Sequence, residues 1–157
     1  MRRSRKTTDH QGVASPSRIH VRNRQRAVRL DLRPLQCFAD RVLTLALSAQ
    51  PKPSAIADLP TDLFVWLISD RRMALLHQQF MNEPGPTDVI TFQHGEIFVS
   101  VETARRQSRQ FRTSTVREIE LYIVHGILHL QGFDDHSPSQ RSRMRAAEAA
   151  LLRQATV

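Results

Sequence analysis

"TVREIELYIVHGILHLQGFDDH" (residues 115–136) is the stretch whose reading decides the architecture. Ile119, Leu121, Tyr122, Ile123, Val124, Ile127, Leu128 and Leu130 lie all round a helix of 3.6 residues per turn. A helix that is apolar on every side is a buried one. Thr115 with Glu118 reads as a capping box ahead of the apolar run, and Gly132 stands where a C-terminal stop belongs. The pattern predicts a helix over about residues 116–131.

Polar groups gather at the end of this apolar helix. His125 and His129 are four residues apart and share one face, one turn apart. Two imidazoles at that spacing can hold one metal ion. The break at Gly132 turns the chain back and brings Asp135 and His136 within reach of the same point. So many polar groups beside a dry helix are costly unless something satisfies them, which makes metal binding the expectation. Zinc is the default ion, because it accepts neutral imidazole, and three protein ligands leave a fourth position for water. Such a site lowers the pKa of a water toward about 7. In the H-E-x-x-H pattern of metalloproteases the glutamate is the general base; here that position is Gly126, which disfavours peptide hydrolysis by that route. Gly126 reads either as a close packing contact or as room for a bulky substrate.

Outward from this helix, "RIHVRN" (18–23) alternates and reads as an edge strand. "LRPLQCFADRVLTLALSAQ" (32–50) has helical spacing at Leu35, Phe38, Val42 and Leu45. "PKPSAIADLP" (51–60) reads as a loop, and "DLFVWLIS" (62–69) as a buried strand with Trp66 in the core. A helix is expected from Asp70 to about Phe80, then a turn over 82–86. "TDVITF" (87–92) and "EIFVSV" (96–101) read as a hairpin around "QHG", followed by a helix over about 102–111. Ser137, Pro138 and Gln140 open a last helix running to about Gln154.

The chain has 157 residues, enough for one domain that buries about 70% of its unfolded surface. Its single cysteine, Cys37, allows no internal disulfide, which fits a reducing compartment; a buried position is expected for it. No run approaches the ~20 apolar residues that span a bilayer, and polar residues follow the basic MRRSRK start, so no membrane association and a cytoplasmic location are expected. Residues 1–33 carry ten Lys/Arg against Asp9 and Asp31, while the rest of the chain is balanced; the net charge of +8 is thus an N-terminal property. Residues 1–17 have the composition of a basic disordered arm, and residues 18–157 form the single domain. A basic arm points to a polyanion such as RNA. Arg141, Arg143 and Arg145 read as a solvated helix face, and "PTD" (86–88) as an ordinary turn into a strand.

"HGILHLQGFDDH" (125–136) resembles the H-G-x-L-H-L-x-G-[YF]-D-H signature of the YbeY family, metal-dependent endoribonucleases of ribosomal RNA maturation. "GPTDVITF" (85–92) resembles that family's P-T-D-V-L-S-F segment, and "HGEIFVS" (94–100) its following strand. The resemblance implies an α+β fold: a small mixed sheet, surrounding helices and a central buried helix carrying the metal. It implies one Zn2+ held by three histidines, which map to His125, His129 and His136. It also implies cleavage of single-stranded RNA, 16S rRNA 3′-end maturation on the ribosomal small subunit, and ribosome quality control.

The chain departs from the pattern twice. The third histidine of the signature comes six residues after the second; here Asp135 holds that place and His136 follows. His136 is the expected ligand and Asp135 the alternative, the unused residue serving beside the metal or as a proton carrier. The family's arginine ahead of P-T-D is replaced by Met81, with Arg71, Arg72 or an N-terminal arginine as possible substitutes. The alternative function is a ribosome- or RNA-binding factor with a structural zinc. A zinc hydrolase of peptides is disfavoured by Gly126 and by the basic arm.

Overall fold

A computed structural model describes residues 17–49 and 59–156. The expected arm (1–17) and the proline-containing loop (51–60) lie almost wholly outside the described residues. The elements are β1 (Arg18–Asn23), α1 (Leu32–Ser48), β2 (Asp62–Ile68), α2 (Asp70–Met81), β3 (Val89–Phe92), β4 (Glu96–Ser100), α3 (Val101–Phe111), α4 (Thr115–Leu130) and α5 (Pro138–Ala155). The fold is α+β, with one mixed sheet in the order β1-β2-β4-β3. β1 and β4 flank β2 in parallel, and β3 pairs antiparallel with β4 through the hairpin. Gly95, at φ 109°, closes that hairpin by donating to the Phe92 carbonyl.

Alternation along β2 assigns the two faces of the sheet. Leu63, Val65 and Leu67 are fully buried and meet Ile97 and Val99 of β4 and Ile19 and Val21 of β1. This inner face packs under α1 and α4 through Leu35, Phe38, Val42, Ile119, Ile123 and Ile127. Phe64, Trp66 and Ile68 point the other way. There α2 lays Met73 and Leu76 over a smaller cluster of Ile68, Ile90, Phe92 and Phe98. Trp66 is therefore not in the main core; it is half-buried on the outer face. The period-2 alternation of β2 overrides its near-continuous hydrophobicity.

Cys37 is likewise not buried but exposed. The residues α1 turns inward are Leu35, Phe38, Ala39 and Val42, and position 37 falls on the opposite side of the same helix.

α4 is the central helix, touching α1, α3, α5, β3 and β4. Its N-cap is Ser114, one residue earlier than expected; the Ser114 hydroxyl accepts from the Arg117 amide at 3.1 Å. Glu118 is then no reciprocal cap. It is buried, and the Thr113 hydroxyl donates to it at 2.5 Å. α5 opens with the expected capping box of Ser137 and Gln140.

Candidate metal centre

The end of α4 sets the geometry. Gly132 takes φ 94°, which a β-carbon disfavours, and its amide donates to the His129 carbonyl at 3.0 Å. The Phe133 amide donates to the Leu128 carbonyl at 3.0 Å. This pair of bonds is a Schellman closure, and it reverses the chain after one residue. The reversal delivers the Phe133 carbonyl to His129 Nδ1 at 3.0 Å. It also carries Asp135 over the histidine pair, with Oδ2 at 3.7 Å from His125 Nε2 and 3.8 Å from His129 Nε2.

His125 is fixed from another side. Its Nδ1 meets the Glu148 carboxylate of α5 at 2.5 Å. Both Nδ1 atoms thus face acceptors and carry their protons there. The two Nε2 lone pairs are left aimed at one another, 2.9 Å apart. Two bare lone pairs at that distance repel unless a cation or a proton lies between them. Tetrahedral zinc with Zn–N bonds near 2.0–2.1 Å separates its nitrogens by roughly 3.3 Å, so small ring adjustments seat an ion. The donor set of two imidazoles and one carboxylate, all ligand atoms within 4.8 Å of each other, fits a divalent first-row metal with one position open.

The protonation balance says the same. Burial pushes His125 down, but the hydrogen bond and charge of Glu148, with the charges of Asp135 and Asp88, outweigh it and leave this imidazole above its ordinary range. His129 goes the other way, lowered by burial first and then by the charge of His125.

His136 is not brought to the pair. Its side chain is 84% exposed, and Nε2 meets Asp134 Oδ1 at 3.1 Å. Asp134 in turn accepts from the Asp135 amide at 2.8 Å. The turn after Gly132 is short, so consecutive residues point in opposite directions: position 135 falls over the helix axis and position 136 swings out. Asp135 occupies the place expected for the third histidine.

A cleft of about 180 Å³ opens beside the histidines, lined by Met81, Val89, Ile90, Thr91 and Gln93 with His125 and His129. Met81 therefore stands at the site, as its position in the sequence suggested, and no arginine among the described residues lines this cleft. Arg72 lies instead on the outer sheet face, in the cleft over Trp66. Arg141 is closer to the metal loop than a solvated face implies, donating to the carbonyls of Asp135 and His136, each at 3.3 Å. Gly126 is resolved as a packing contact: a β-carbon there falls 2.6 Å from Ile97 Cγ2.

Two contributors escaped the sequence reading. Glu148 is the single acid of α5, one signal that could have marked it. Asp88, read as part of a turn, caps its own strand by accepting from the Val89 amide at 2.8 Å and adds its charge to the field at His125.

Comparison with known proteins bears on this centre. A family model described as endoribonuclease YbeY matches residues 20–156. An endoribonuclease YbeY of Chlamydia trachomatis is 32% identical over 152 residues, covering 88% of each chain. Its counterpart in Heliobacterium modesticaldum is 35% identical over 114 residues, 59% of this chain and 69% of that protein. The match to an Anaeromyxobacter endoribonuclease YbeY spans 57% of that protein's length. A solution structure of a Thermotoga maritima protein shares the fold, with a TM-score of 0.61 and 23% identity over 87% of this chain and 88% of that one.

Proposed function

This chain belongs to the endoribonuclease YbeY family, and from that membership we propose that it is a metal-dependent endoribonuclease of single-stranded RNA, working in the cytoplasm on the 3′ end of 16S rRNA and in ribosome quality control. His125, His129 and Asp135 hold one divalent ion, with Zn2+ as the metal that suits two imidazoles and a carboxylate. The observation that carries this reading is the facing pair of Nε2 atoms, each ring locked through Nδ1, with a carboxylate oxygen above them. When bound, the ion supplies Lewis acidity to a phosphate oxygen and acidifies a water.

The residues of the chain supply the rest. Glu148 and the Phe133 carbonyl fix the tautomers and orient both rings. His136 Nε2 meets Asp134 Oδ1 on the loop next to Asp135, and this exposed pair serves beside the metal as the proton carrier. Arg141, at the same loop, is the described guanidinium placed to meet a phosphate. The open cleft between β3 and α4 admits an extended strand beside the histidines.

A binding factor with a structural metal is the second reading, and one observation favours it: Met81, with no arginine among the described residues, lines the cleft. The deciding experiment is cleavage of an end-labelled single-stranded RNA with zinc, with chelator, and by His129→Ala purified identically. A cut by the wild type with zinc alone establishes the nuclease. Equal behaviour of all three, with metal and RNA still bound, leaves the binding factor. The products separate the nucleophiles: a 3′-hydroxyl end follows from water, a cyclic phosphate from the 2′-hydroxyl.

A further inference from the structure

The outer face of the sheet carries an array the metal centre does not use. Two cross-strand rows lie on it: His20, Phe64, Glu96 and Phe92, and then Arg22, Trp66, Phe98 and Ile90. His20, Phe64 and Trp66 stack in series, with centroids 5.0 and 5.6 Å apart and planes tilted by 28° and 11°. α2 covers the Phe92–Phe98 side of this face. Toward β1, no described element covers the aromatic series. A cleft of about 420 Å³ opens there, lined by Arg24, Trp66, Ile68, Arg72, Glu96 and Phe98.

We propose that this cleft is a second contact for single-stranded RNA, in which a base stacks on Trp66 between Arg24 and Arg72, which hold the flanking phosphates. The proposal rests on the reading of the chain as an RNA-binding protein and adds a site on the opposite face of the sheet from the packed core.

Three observations select this occupant. The first is the platform itself: near-parallel, half-buried rings stacked in series present aromatic surface that a base can extend, and such stacking is worth about 1–3 kcal/mol per base. The second is charge. The Arg24 guanidinium already lies over the Trp66 ring, 5.5 Å from its centroid, where a cation marks the face a base would take. The side chains of Arg24 and Arg72 are exposed and make no hydrogen bond or ion pair with any described residue. Arg22 stands in the same row as Trp66. The third is that the one acid lining the cleft already has partners. Glu96 accepts from the Trp66 indole N–H at 2.9 Å and pairs with His94 at 2.6 Å, so both its oxygens are engaged. An apolar partner protein does not need two exposed guanidinium groups beside the ring; a phosphodiester strand does. Duplex RNA keeps its bases stacked internally and offers none to Trp66, so the site selects single strands.

Trp66 is the chain's single tryptophan, which makes the test direct. The full chain in chelator, so that no metal-dependent cut intervenes, is titrated with a single-stranded 12-mer of oligo(A) while Trp66 emission is followed. The expected result is saturable quenching that a duplex 12-mer does not produce. Arg24→Glu with Arg72→Glu, both at exposed positions and checked for an unchanged melting temperature, weakens binding at least tenfold. It also lowers the slope of log K against log salt by about 1.4, from about 0.7 per lost phosphate contact. Oligo(A) binding without quenching, or wild-type affinity in the double variant, overturns the proposal. Cleavage with zinc, measured on the same preparation, keeps the two readings apart: cutting without quenching leaves the nuclease and removes the platform, and quenching without cutting does the reverse.

Discussion

Each metal-facing ring of the centre has its proton placed by a named acceptor, and that is where substitutions should speak most clearly. Glu148→Gln keeps the shape of the side chain and removes the charge that holds the His125 Nδ1 proton. Zinc affinity should fall about 10- to 100-fold, read by competition with a chromophoric chelator. Asp135→Ala should weaken zinc binding further, whereas His136→Ala should leave it within about threefold of wild type, because its ring is turned out to Asp134. The reverse ranking would return the third ligand to His136. Met81 lines the cleft without offering a donor. Met81→Arg should raise the rate of RNA cleavage by about tenfold if a phosphate passes this position, and an unchanged rate would place the reacting phosphate elsewhere.

Among the elements, α4 has least freedom. Gly126 costs the helix about 1 kcal/mol relative to alanine, so Gly126→Ala on propensity alone should stabilise the protein. The structure reverses that sign. A methyl group there meets the branched end of a fully buried Ile97, where overpacking costs about 1–3 kcal/mol. Gly126→Ala should therefore lower stability by up to about 2 kcal/mol in urea unfolding, and Gly126→Ala with Ile97→Val should recover part of it. The same contact keeps a glutamate out of that position, so the carboxylate of the H-E-x-x-H arrangement has no room here. The helical spacing of α1, the all-round apolar run of α4, the cap signals of α5 and the hairpin of β3 and β4 were legible because each is decided within its own segment. The cap of α4 was read one residue late, since Ser114 and Thr115 are both capping residues and only backbone geometry chooses between them.

Across the whole molecule, α2 and α3 are joined by one half-buried carboxylate. Asp70, at the start of α2, accepts from Ser100 at 2.5 Å and Thr103 at 2.7 Å and pairs with Arg106. Burial opposes its charge, but the bonds from Arg106, Ser100 and Thr103 outweigh burial and hold its pKa below the ordinary carboxylate value. A depressed folded pKa means stability that is complete above the unfolded value and is lost as pH falls through the folded one. Asp70→Asn should cost about 1.5–3 kcal/mol in the plateau above about pH 5. The gap to wild type should narrow below about pH 4, when the wild-type carboxyl also protonates. A gap independent of pH would mean that the bonds, not the charge, matter.

From the sequence came the central apolar helix, the i, i+4 histidine pair, the glycine stop behind it and the order of strands and helices, because periodicity and end signals are local to one segment; the α+β class came from the family resemblance. Only the tertiary structure placed Asp135 beside the histidine pair and turned His136 toward Asp134, since a one-residue change of direction in a tight turn exchanges the two without altering any local pattern. It also supplied Glu148 from α5 and set Trp66 on the outer face. Those assignments depend on which surfaces meet across many residues of chain, and a single-residue spacing rule carries no record of that.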